Sequence, residues 1–120
     1  MTRLEDLSDG QRCVLLNAVE ESDLYSVLME CAPGRDWEEL SPHLPDVARI
    51  VEDFLSQGLV SLYTYSGDDG STITDIPAGE AQAIIAAPSS WAPGREPLIS
   101  LAPTDKGLAL YRGEEVSAVG

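Results

Sequence analysis

The stretch DWEELSPHLPDVARIVEDFLSQGLVSLYTY, residues 36–65, decides how the chain folds. Val47, Ile50, Val51, Phe54 and Leu55 recur at i, i+3, i+4, i+7 and i+8, which lays one apolar stripe along an α-helix. Asp46, Arg49, Glu52, Asp53, Ser56 and Gln57 take the opposite face. Pro45 suits the first turn, where its missing N–H costs nothing, and Gly58 suits the left-handed position that closes a helix. Upstream, Asp36 and Glu39 have the spacing of a capping box and open a short helix bearing Trp37 and Leu40. Pro42 and Pro45 disfavour helix in the residues before them, so Ser41–Pro45 reads as a turn between two helices. Downstream, the β-favouring run Leu59–Tyr65 reads as a strand.

Working outward, residues 1–7 are a lead-in, and Ser8 with Gln11 caps a first helix. Its inner stripe is Val14, Leu15, Ala18 and Val19. Glu20 and Glu21 oppose the dipole at its far end and mark a break close to Ser22. Ser22 or Asp23 caps a second helix running to about Ala32, with Leu24, Val27, Leu28 and Cys31 inside and Pro33-Gly34 as the stop. Beyond the strand, Ser66–Ser71 is a turn or loop, and Pro97–Leu101 is the natural partner strand. The excursion of about 26 residues between them exceeds an ordinary hairpin loop. A short helix over residues 77–87 fills it, with Ala81, Ile84, Ile85 and Pro88 on one side and Trp91 folding back onto them. Thr104 caps a last helix through Tyr111. The expected organisation is one domain over residues 1–113, with 66–97 as an insert and 114–120 as a mobile acidic tail.

Two pieces of this layout, Phe54-Leu55-Ser56-Gln57-Gly58-Leu59-Val60 and Leu101-Ala102-Pro103-Thr104-Asp105-Lys106-Gly107, resemble landmarks of winged helix-turn-helix domains. In that family the first ends the recognition helix and runs through Gly-Leu-Val into the wing. The second is the returning wing strand, followed by a Thr-x-x-Gly helix start. The resemblance covers roughly residues 8–65 and 98–111. It implies an α+β, mainly helical fold: four N-terminal helices, a two-stranded antiparallel wing with a helical insert, and a short C-terminal helix. It also implies a DNA-binding transcription regulator.

Charge opposes that function. Seven basic residues against 21 acidic give a net charge of −14, whereas DNA is held mainly by Lys and Arg on phosphates. Only Arg49 is basic on the helix that would read the groove, beside Asp46, Glu52 and Asp53, and the wing offers Asp68 and Asp69. Base and phosphate contacts both want donors, and these faces present acceptors.

The chemistry of other classes is thin. His43 is the single histidine, and with Cys13 and Cys31, which lack CxxC spacing, it makes no metal set. The cysteines read as reduced, helix-packed thiols, with disulfide pairing or redox sensing as the alternative. Adjacent acidic pairs such as Glu52-Asp53 diverge on a helix and form no facing acid/base pair. Gly67, Gly70, Gly79 and Gly107 make no phosphate cradle. We expect no enzyme activity, no catalytic residue, no metal, no cofactor and no small-molecule ligand. A signal pattern and a membrane-length apolar run are both missing, so a soluble, cytoplasmic protein is expected.

The leading expectation is thus a non-enzymatic protein acting through protein–protein contact or self-association, with a regulatory role. The surface expected to carry it comprises Arg49, Glu52, Asp53, Tyr63, Tyr65 and Trp91. A DNA-binding regulator is the first alternative, and it requires the few basic residues to gather on one face. An acidic DNA mimic or decoy, resting on the charge alone, is the second.

Overall fold

In the computed structural model, which describes residues 3–66, 72–94 and 97–114, Ser8 opens helix α1 (Asp9–Val19). The capping box is complete: Gln11 N–H donates to Ser8 Oγ at 3.2 Å, and Ser8 N–H donates to Gln11 Oε1 at 2.8 Å. The break after α1 is a two-bond turn in which Glu21 N–H reaches Ala18 O and Ser22 N–H reaches Asn17 O, both at 2.9 Å. Glu21 takes the left-handed position of that turn at φ 56°, a place where glycine or asparagine is usual. Asp23 caps helix α2 (Leu24–Cys31), accepting from Ser26 N–H at 3.2 Å. Asp36 caps α3 (Trp37–Leu40), accepting from Glu39 N–H at 3.0 Å. The proline segment is a 3-10 turn, Ser41–His43, leading directly into α4 (Leu44–Ser56) with Pro45 in its first turn.

The strands form an antiparallel sheet in the order β2-β1-β3, from β1 (Val60–Ser66), β2 (Thr72–Ile76) and β3 (Ile99–Pro103). The expected two-stranded arrangement is corrected here. β1 is central and has two hydrogen-bonding edges: β3 fills one, with Leu62 opposite Leu101, and β2 fills the other, with Tyr65 opposite Ile73. The returning strand also starts two residues later than expected, at Ile99 in place of Pro97. Helix α5 (Ala78–Ala86) follows β2, and α6 (Asp105–Tyr111) follows β3. The outer edge of β3 is covered where Leu101 N–H donates to Ser22 O at 2.9 Å, beside a single bridge between Asp23 and Ser100. The chain is therefore mixed α+β and mainly helical. Residues 67–71 of the expected loop and 115–120 of the expected tail lie outside the described residues.

Val14, Leu15, Ala18, Val27, Leu28 and Val51 are fully buried, as are Leu40, Leu101 and Leu110. Burying each of the valine and leucine side chains contributes about 1.5–3 kcal/mol. The helices supply these residues at the positions their periodicity assigns, and the inner face of β1 and β3 (Val60, Leu62, Ile99, Leu101) closes the core.

One corner locks helices to sheet. Gly58 ends α4 at φ 72°, and Leu59 N–H closes the turn onto Phe54 O at 2.9 Å. The start of α6 then seats on this corner. Thr104 Oγ1 donates to Gly58 O at 2.6 Å, and Thr104 N–H donates to Leu59 O at 3.1 Å. The same hydroxyl accepts from Gly107 N–H at 3.1 Å as the cap of α6. Lys106 Nζ donates to Gln57 O at 2.8 Å, placing a cation on the carbonyl end of α4. A Cβ at Gly107 would run into the Leu59 carbonyl oxygen, so the backbones meet only because glycine stands there.

Gly107→Ala should therefore cost at least about 1–3 kcal/mol of stability in urea denaturation. Gly79→Ala, on α5 with open space around it, should be neutral or stabilising by up to about 1 kcal/mol. Equal effects at the two positions would contradict the corner as described.

Candidate interaction surface

Helix α5 lies on α4. Its Ala81 and Ile85 are buried, and Gln82 Nε2 donates across the helix pair to Glu52 O and to Ser56 Oγ, each at 3.2 Å. Ala48, one turn before Glu52, is buried as well. The C-terminal end of α5 is pinned by Trp91, whose indole Nε1–H donates to Ile85 O at 3.0 Å and whose side chain is 0% exposed. Trp91 is thus a core residue that fastens the insert, and its assignment to an exposed surface is corrected. The apolar side of the insert was directed inward by the same Ala81, Ile84 and Ile85 pattern that marks the helix.

What remains open on α4 is a narrow stripe of Asp46, Arg49 and Asp53, all exposed, with Glu52 half-buried at the margin of α5. Tyr63 and Tyr65 lie elsewhere. Val60 and Leu62 point into the core, so Ser61, Tyr63 and Tyr65 point out of the other face of the sheet. The six residues expected to act together therefore divide between an α4 stripe, the outer sheet face and the core.

The outer sheet face has its own organisation. The Tyr63 and Tyr65 rings meet edge to face, with centroids 5.3 Å apart at 80°. Across the strands, Tyr63 stands between Asp75 and Ser100, and Tyr65 stands opposite Ile73. Tyr63 is only 5% exposed, while Tyr65 is 42% and Ile73 is 59% exposed. Burial, then hydrogen bonds to Tyr65 and to Glu21, push the Tyr63 hydroxyl well above the usual phenol range. Glu21 is thus joined to this face by the same left-handed turn that ends α1. β2 is the outermost strand, with Thr72 to Asp75 exposed on both faces. Such an edge is a template for strand addition, and Asp75 is its charged guard.

Among the described residues, four other basic side chains are engaged by groups of their own. Arg12 donates to Leu4 O at 3.3 Å and to Glu5 O at 3.1 Å, holding the N-terminal turn to α1. Arg3 pairs with Glu5 at 3.6 Å in the same groove of about 670 Å³. Lys106 caps α4, and Arg112 lies 3.9 Å from Glu114. Among the described residues there is no cluster of three or more His, Cys, Asp or Glu side chains able to hold a metal ion. Also among the described residues, no helix is long and apolar enough to cross a membrane.

Sequence reading missed Gln82 and Glu21. Gln82 acts on partners 26 and 30 positions away, which no local pattern announces. Glu21 did carry a signal, an acid at the wrong end of a helix, but its tyrosine partner comes from a strand pairing that only the fold creates. Set against family models, curated proteins and solved structures, the chain matches none of them.

Tyr63 should be the last of the four tyrosines to ionise in an ultraviolet absorbance titration. Its folded pKa lies above the unfolded value, so the stability it contributes is full below pH ~10 and is lost as pH rises beyond it. Tyr63→Phe should flatten the fall in stability above pH ~10. An unchanged slope would contradict the buried, hydrogen-bonded hydroxyl.

Proposed function

We propose that this chain is a non-enzymatic, winged-helix-like module that works by binding protein, with a basic surface on its partner. The observation that carries the reading is α5 seated on α4 through Gln82, Glu52 and Ser56. In a winged-helix reading, α4 is the helix that would enter the DNA major groove. A groove that admits an α-helix is about 12 Å wide, and a second helix bolted alongside does not fit with it. The stripe left open holds two carboxylates and one guanidinium, which suits a cationic protein surface better than phosphates.

The topology supports the winged-helix part of this reading. α4 feeds through Gly58 into β1, and β3 returns beside β1 into a helix that starts Thr-x-x-Gly. The segment 72–91 then occupies the place of a wing loop. The outer sheet face, with exposed Tyr65 and Ile73 on its edge side, supplies the apolar contact that an interface core needs.

Two measurements test it. Fluorescence anisotropy with a labelled random duplex should show no binding at about 50 mM salt, where phosphate contacts are strong. Affinity capture from native lysate should recover a specific partner that Asp46→Lys with Asp53→Lys loses. Duplex binding with a steep salt dependence, or a partner retained undiminished by the double reversal, would overturn the reading.

A further inference from the structure

We propose that Cys13 and Cys31 form a dithiol site that small disulfides such as oxidised glutathione convert to an intramolecular disulfide, stapling α1 to the end of α2. Both cysteines are free thiols and half-buried, one on each of two packed helices. Asn17 sits between them, 4% exposed, and its side-chain amide is shared: Nδ2 is 2.9 Å from Cys13 O, 3.7 Å from Cys13 Sγ and 3.8 Å from Cys31 Sγ. A buried amide in contact with both sulfurs means the sulfurs share one small space.

Burial and the neighbouring Cys13 thiol both hold the Cys31 thiol protonated. The two sulfurs, each next to the same Asn17 nitrogen, must close to the ~2.05 Å of an S–S bond. Cys31 is the last residue of α2, and the following Ala32 is already extended, so the approach distorts no helix interior. Burial, then the Cys13 thiol beside it, raise the Cys31 pKa, so Cys31 is disfavoured as the first nucleophile.

The step balances with glutathione disulfide as the oxidant. The Cys13 thiolate attacks one sulfur of glutathione disulfide and expels a glutathione thiolate. Cys31 then loses its proton to solvent, attacks the Cys13 sulfur of the mixed disulfide and expels the second glutathione. Two protein thiols become one disulfide, and one glutathione disulfide becomes two glutathione thiols. The new bond closes a loop between positions 18 apart, and it removes conformational freedom from the unfolded chain.

The test treats the reduced full-length chain with excess oxidised glutathione. It then reads free thiols in denaturant, intact mass and thermal unfolding. The expected product is a monomer with no free thiol, two hydrogens lighter, and a Tm higher by roughly 10 °C, all reversed by a dithiol reductant. Cys13→Ser and Cys31→Ser should each lose that rise. The comparison of oxidised with reduced wild type stands even if either variant folds poorly. Retention of both thiols, persistent glutathione adducts or disulfide-linked dimers would overturn the proposal.

Discussion

The structure depends on one close approach, the carbonyls of Gly58 and Leu59 against Thr104 and the backbone of Gly107. It joins the end of the longest helix to the start of the last one. In doing so it fixes where β1 leaves the helical layer and where β3 must finish. A threonine is suited to this because its hydroxyl donates to one carbonyl while accepting from its own helix. Glycine is required three residues later because any side chain would strike the carbonyl of Leu59. Lys106, between them, satisfies a further carbonyl at the end of α4, where four such groups otherwise lack helical partners.

Once that corner is set, β1 becomes the middle strand, and its two edges determine the rest. β3 lies between β1 and the turn after α1, so it has no open edge along Leu101. β2 lies on the outside, and the chain leaving it has to cross back over the helical layer. It does so as α5, seated on α4 by Gln82 and held from its far end by the buried indole of Trp91. The consequence for function is direct. The helix with the best-formed apolar stripe keeps only a thin polar strip for outside contacts, and that strip is acidic.

Much of this was legible in the residues. The caps at Ser8, Asp23, Asp36 and Thr104, the Gly58 stop, and the stripe from Val47 to Leu55 all rest on contacts within a few positions, so local pattern suffices. Thr72–Ile76 was legible in principle, as a run rich in β-branched residues, but assigning Pro97–Leu101 as the sole partner hid the second edge of β1. The candidate surface was read less well. Trp91, Tyr63 and Tyr65 looked alike as aromatics, and only the fold sends one into the core, one into burial on the outer sheet face and one to solvent. Exposure at those positions is set by strand pairing and core packing, Tyr63 between Asp75 and Ser100 and Trp91 inside the core, which spacing along the chain does not encode.

The central claim is that α5 stays on α4 in solution and so withdraws that helix from the role its sequence resembles. Nuclear Overhauser contacts between the Gln82 side-chain amide and the Ser56 side chain measure this most directly. The account predicts those contacts, together with α5 amides protected from solvent exchange. Absent contacts and α5 amides exchanging at unfolded rates would contradict it.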